Sequence, residues 1–538
     1  MKPEVLDSAR SAFPKGAGTV ALGAILHGGE CHPEPIATLP LAMANRHGLV
    51  AGATGTGKTR TLQLLAEQFS AAGVPVFLAD MKGDLSGLAA PGEGNARVTQ
   101  RATDTGWAWK GAGCPVEFLS LEGGDGAQLR ATVSSFGPLL LARVLGLNET
   151  QSSVLSMVFK FADDKRLPLL DLSDLRAVFQ YLTGDGAAEL EAYGGMSKAT
   201  VGVLFRELVE LEQQGAGPFF GEPEFELEDL LQVEPDGRGV VSVLELPKLQ
   251  DRPALFSTFM MWMLASLYSD LPEVGDLDKP KLVFFFDEAH LLFDDASQGF
   301  LDQVQQVVRL IRSKGVGVWF VTQSPKDVPS EVLGQLGNRV QHALRAFTPD
   351  DDKALKAAAR TFPKTPHYDV EETLTTLGTG EAFVTVLSPS GAPTPPFAVR
   401  MIPPAARMGP LTPDEFKAQL VASDQVREYA VPVDRESARE MLAARMAGAD
   451  AAAAPADAAP EAGKGEGGRK AAEVIGGAAA LAGALFGSRL VRDVARTATR
   501  EVTRGALGAL LGAPARRRTT RRKTTASLAG SLLRNLIR

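Results

Sequence analysis

The eight residues Gly52-Ala53-Thr54-Gly55-Thr56-Gly57-Lys58-Thr59 constrain this 538-residue chain more than any other feature. They fit the pattern G-x-x-x-x-G-K-S/T completely, after an apolar stretch (48–51) and before a helical one (60–71). The glycines let the backbone curl until its N–H groups face one point, and the helix that follows directs its positive end there too. Such a cradle suits a phosphate chain. Lys58 is placed to reach the β- and γ-phosphates and Thr59 to hold a metal ion, so ATP and Mg2+ are the expected ligands. A loop of this kind joins a strand to a helix, and the expected fold is α/β, a P-loop NTPase core on a mainly parallel central sheet.

The rest of the body agrees. Short β-rich runs at 48–51, 74–79, 240–246, 281–286, 316–322, 340–346 and 382–387 alternate with helical segments. Several are apolar throughout rather than alternating, as expected of strands buried on both faces. Between about 127 and 232 the apolar residues change to helical spacing, as in Leu139, Leu140, Val144 and Leu145, and continue through 170–182 and 201–211. That reads as a helical insertion, and 253–271 as a further helix. The chain is longer than the roughly 250–300 residues at which one core stops growing. We divide it into a short N-terminal segment (1–47), a core (48–405), a helical segment with an Ala/Gly/Pro-rich linker (406–470) and a basic tail (471–538).

A second motif supports the first. The apolar run 282–286 ends in Asp287 and Glu288. Acids at the carboxyl end of a parallel strand lie where open α/β sheets bind ligands. Asp287 is expected to orient Mg2+ and Glu288 to polarise an attacking water. His290 reads as packing or local hydrogen bonding. The run 316–322 ends in polar residues, and Gln323 is a candidate to touch both the γ-phosphate and the water, with capping of the next turn as its alternative.

Asp80-Met81-Lys82-Gly83-Asp84 completes the set. Asp-x-Lys-Gly-Asp/Glu after the second strand, with the loop at 52–59, the acids at 284–288 and Val321-Thr322-Gln323 in this order, resembles the HerA/FtsK superfamily. The stretches 80–88 and 284–292 are most similar to HerA-like helicase domains of the bacterial YjgR type, and the resemblance covers roughly 20–405. It implies a RecA-like core, a homohexameric ring and ATP-driven movement along double-stranded DNA. It also implies an arginine supplied by the neighbouring subunit, with Arg339 and Arg345 as candidates and Arg312 as a lesser one. Only 47 residues precede Gly48, too few for a full N-terminal β-barrel of about 100 residues. The stretch 19–26 reads as a remnant of one packed on the core.

Charge sets the tail apart. The net charge is −8, yet residues 463–538 hold 16 Lys and Arg against 4 Asp and Glu, a net of +12. Arg489, Arg492, Arg496, Arg500 and Arg504 would draw one cationic stripe along a helix. Nucleic-acid phosphates are the favoured partner, with an anionic membrane surface or the acidic body as alternatives. A nucleotide switch or scaffold whose tail recruits a partner or membrane is therefore the competing function. Cys31 and Cys114 lie in no C-x-x-C spacing, which implies neither a zinc site nor a disulfide framework. The start of the chain has no signal-peptide pattern, and the apolar stretch 474–487 is shorter than the roughly 20 residues that span a bilayer. The expectation is a cytoplasmic protein without an integral membrane segment.

Overall fold

The computed structural model describes residues 1–13, 16, 18–191, 193–247, 253–293 and 298–453. The chain divides into two units, Met1–Ala449 and Asp450–Arg538, and the fold is that of the first. The basic tail, with its expected stripe, lies outside the described residues. Among the described residues no helix is long and apolar enough to cross a membrane.

The strands in chain order are β1 (Thr19–His27), β2 (Glu30–Pro40), β3 (Gly48–Ala51), β4 (Val76–Asp80), β5 (Val116–Ser120), β6 (Ala127–Gln128), β7 (Val241–Glu245), β8 (Leu282–Phe286), β9 (Val316–Thr322), β10 (Asn338–His342), β11 (Glu381–Thr385) and β12 (Phe397–Met401). They form one sheet in the order β2-β1-β12-β11-β10-β3-β9-β8-β4-β7-β5-β6. Every neighbouring pair from β10 to β6 is parallel. The pairs from β2 to β10 on the other side are antiparallel. One strand, β9, separates β3 from β8, so the phosphate loop and the two acids end two strands apart on one carboxyl edge. This mostly parallel sheet covered by helices is the α/β core expected around the phosphate loop.

The two faces of β8 show what holds the sheet. Phe284 and Phe286 enter one core with Phe77, Phe259 and Phe320, while Val283 and Phe285 enter the other with Phe69 and Trp319. All are buried, which removes apolar area from water on both sides at about 25 cal/mol per Å2. The second core is covered by the helix Lys58–Ala71, whose Leu62, Leu65 and Phe69 recur at helical spacing and are buried.

Between β6 and β7 run the helices Val133–Val144, Glu149–Lys165, Leu172–Thr183, Ala187–Glu191 and Lys198–Leu211. Capping boxes at Asn148 and Asp171 start two of them. Their apolar faces, including Leu155, Phe159, Leu175, Phe179, Leu204 and Leu208, join the first core. Leu139 instead stays exposed. At the other end, β1 pairs with β12 and β2 and extends the central sheet. The helix Ala438–Ala453 runs into the Ala-rich stretch, where alanine carries the highest helix propensity.

Candidate active site at the carboxyl edge of the sheet

Three hydrogen bonds shape the phosphate loop from outside. Gly52 N donates to Thr322 O (3.2 Å), Ala53 N to Ala343 O (2.9 Å), and Gly380 N to Thr56 O (2.8 Å). The ends of β9 and β10 and the turn before β11 thus hold it. Gly57 has φ +117°, and a Cβ there would lie 3.2 Å from the Gly380 backbone. A Cβ on Gly52 would come within 2.5 Å of His342 Cβ. Both positions need glycine. Thr54 and Gly55 are exposed at the loop, while Thr59 is half-buried in the first helical turn. Lys58 is buried, and its Nζ donates to Gly52 O (2.7 Å) and Ala53 O (3.3 Å). Burial pushes its pKa down, although the charges of Glu288 and Asp287 oppose the shift.

Asp287 and Glu288 are neighbours whose surroundings push them in opposite directions. Asp287 is 3% exposed, and its Oδ2 is buried without a hydrogen-bond partner. Burial pushes its pKa up to about 7 despite the nearby Lys82 charge. Glu288 has φ +48°, and the turn is fixed as Ala289 N donates to Val321 O (2.8 Å). The Glu288 Oε1 contacts Lys82 Nζ. Its Oε2 lies 3.2 Å from His290 Nδ1, without hydrogen-bonding geometry. Burial alone would raise the Glu288 pKa, but the Lys82 hydrogen bond and the charges of Lys82, His290 and Lys58 hold it below the ordinary value. These contacts favour the ionised form of Glu288.

Lys82 comes from a turn built on Asp80. The Asp80 carboxylate, fully buried at the end of β4, accepts from the N–H groups of Lys82 (3.0 Å), Gly83 (2.8 Å) and Leu85 (2.8 Å). The turn also brings carboxylate oxygens of Asp80, Asp84 and Asp287 within 4.8 Å of one another. Glu245 stands opposite Asp80 in the β4–β7 register, and burial, then Asp80 and Asp84, push its pKa up to about 7. Sequence reasoning gave Lys82, Asp84 and Glu245 no role. The first two were visible in the Asp-x-Lys-Gly-Asp element. Glu245 carried no signal beyond being an acid near a strand end.

Gln323 is exposed at the end of β9, the strand between β3 and β8, and so shares their edge. Thr322 Oγ1 and Ser324 N beside it both donate to Asp327 Oδ2 (2.7 and 2.9 Å). The structure separates the arginines. Arg345 lies past the end of β10, exposed, and donates to Thr375 O (3.0 Å). Arg339 does not fit a role toward a neighbouring subunit. It pairs with Leu49 toward the start of β10, and its guanidinium donates to the carbonyls of Leu336, Thr361 and Leu333. Arg312 lies 3.9 Å from Asp276.

The two acids, the loop and Gln323 thus lie on one edge of the sheet. Residues 29–518 match the family described as helicase HerA-like C-terminal. A probable helicase of Methanocaldococcus jannaschii is 28% identical over 154 residues, which cover 27% of this chain and 28% of that relative's length. The bacterial conjugative coupling protein TrwB has a TM-score of 0.48 at 16% identity, over 75% of this chain and 93% of that one. For VirB4 of Thermoanaerobacter pseudethanolicus the TM-score is 0.43 at 14% identity, over 75% of this chain and 99% of that one.

Proposed function

Because the chain belongs to the HerA-like C-terminal helicase family of P-loop ATPases, we propose that it is a Mg2+-dependent ATP-hydrolysing motor that moves along double-stranded DNA as a homohexamer. One observation carries the catalytic part: Glu288 is held ionised by Lys82 on the sheet edge that also holds the phosphate loop. Lys58, seated among the loop carbonyls, supplies the cation for the β- and γ-phosphates. Loop N–H groups and the helix Lys58–Ala71 bind the same charge. Glu288 takes the proton of the attacking water, Gln323 orients that water, and Arg345 enters the neighbouring subunit's site.

The residues also fit Mg2+. Asp287 offers a buried oxygen without a partner, Thr59 a hydroxyl in the first helical turn, and an all-oxygen set suits a hard cation. Mg2+ held by Thr59 and Asp287 would neutralise charge on the phosphate oxygens.

The test is ATP turnover by the purified chain with and without linear duplex DNA, with particle mass measured by light scattering in the same buffer. A motor predicts a ring-sized particle whose turnover rises with duplex. Turnover indifferent to DNA in such a particle would remove the motor and leave the nucleotide switch.

A further inference from the structure

At the far edge of the sheet a buried cation has no counter-charge. Arg130, just after β6, is 7% exposed. Its Nη1 donates to Tyr429 O (2.8 Å). Among the described residues the guanidinium makes no other hydrogen bond and no ion pair. Burial alone pushes its pKa down, with no acid to offset the loss of water. A guanidinium carries five N–H donors in a rigid fork, so most of this fork is unused. The nitrogens it leaves unused are not fully buried, so they stay open to a ligand.

Arg130 lines a half-open cavity of about 200 Å3, together with Gly123, Gly124, Asp125, Gly126, Val426 and Ala430. Hydrogen bonds within the 120–128 turn shape one wall of the cavity, and the Arg130 bond to Tyr429 O ties the other. Gly123 N donates to Gln128 Oε1 (2.6 Å) and Gly124 N to Ser120 Oγ (3.0 Å), while Gln128 Nε2 donates to the carbonyls of Leu121, Leu129 and Pro218. Asp125, the acid in the lining, is exposed. The site is not the phosphate loop, since β6 is six strands from β3, roughly 29 Å at about 4.8 Å per strand.

We propose that this cavity is a second anion site that takes a phosphate group on the Arg130 fork. A tetrahedral oxyanion can accept two parallel N–H bonds from a guanidinium, which a lone carbonyl cannot. The phosphate is either free or part of a nucleic-acid strand, and the chemistry of capture is the same.

The experiment titrates inorganic phosphate into the full chain by calorimetry at fixed ionic strength, in the parent and in a Lys58→Ala background that weakens the phosphate loop. A component that survives Lys58→Ala is expected. Arg130→Gln, which keeps a donor for Tyr429 O, should weaken that component at least about tenfold, the effect of losing one charge-assisted bond. Ala430→Glu, at an exposed position beside Tyr429, sets a carboxylate in the cavity and should abolish the component with Arg130 intact. Competition by a short duplex for the Arg130-dependent component would assign the phosphate to a strand. Lack of competition would assign it to a free phosphate, and either result supports the site. Phosphate binding unchanged in both variants, or no component independent of Lys58 up to about 10 mM phosphate, would overturn it.

Discussion

Glu288 and Asp287 illustrate how adjacent carboxyls acquire different work. Lys82 touches one and leaves the other with a buried, unpartnered oxygen. Glu288→Gln keeps the shape but removes the base, so ATP should still bind while turnover falls roughly 10²–10⁴-fold. Lys58→Ala should lose binding as well, because the phosphates lose their cation. Nucleotide titration and phosphate release separate the two variants, and parental turnover in Glu288→Gln would strip that residue of its role. Asp287 makes a pH-dependent prediction about stability. Its folded pKa of about 7 is raised above the ordinary value of about 3.9, so the native state binds the extra proton. The resulting stabilisation is complete below about pH 4 and is lost as pH rises through about 7. Asp287→Asn removes a charge the fold does not want. In metal-free buffer its melting temperature should exceed the parent's by more at pH 8 than at pH 5. An advantage equal at both pH values would contradict the assigned burial.

Elements decide how loop and acids meet. The turn before β11 carries Gly380 onto the phosphate loop, with its N–H on Thr56 O and its backbone 3.2 Å from where a Gly57 Cβ would stand. Gly57→Ala therefore combines a left-handed residue with a backbone contact. It should cost about 1–3 kcal/mol in denaturant unfolding and weaken nucleotide binding, whereas unchanged stability would mean that the turn yields freely. The same long-range packing explains what sequence could and could not tell. The loop and the Asp287-Glu288 pair are contiguous and could be read directly, as could β8, whose five apolar residues are all buried. The end of β10 was read at Ala346, but it stops at His342 because Ala343 O turns to accept from Ala53 N. Four strands escaped the reading: β6 has two residues, β5 is half-exposed at its start, β2 carries three prolines, and the five-residue β12 directly follows the proline-rich stretch 393–396. Glu245 reaches the acidic cluster only through the β4–β7 register, and pairing of distant segments leaves no local trace.

At the scale of the whole molecule, the proposed ring turns on a residue held to its own subunit by one hydrogen bond, from Arg345 to Thr375 O. Sequence could not choose between Arg339 and Arg345, since both flank one strand. The parallel pairing with β3 puts them at opposite ends, and only Arg345 is exposed on the nucleotide edge. Arg345 gives up little on leaving Thr375 O, whereas Arg339 would abandon three carbonyls. A shared site makes activity depend on which subunits meet. Arg345→Ala and Lys58→Ala proteins should each be inactive alone, the first lacking the arginine it offers and the second the cation it uses. Mixed and allowed to exchange, they form some interfaces that pair an intact loop with an intact arginine, and part of the turnover should return. Arg339→Ala should fail differently, losing thermal stability and gaining nothing from the mixture, because its three bonds lie within one chain. Exchange is followed by energy transfer between labelled subunits, so a silent mixture can be told from an unmixed one. Confirmed exchange without recovered turnover would remove the shared site and leave each subunit to hydrolyse ATP with its own residues.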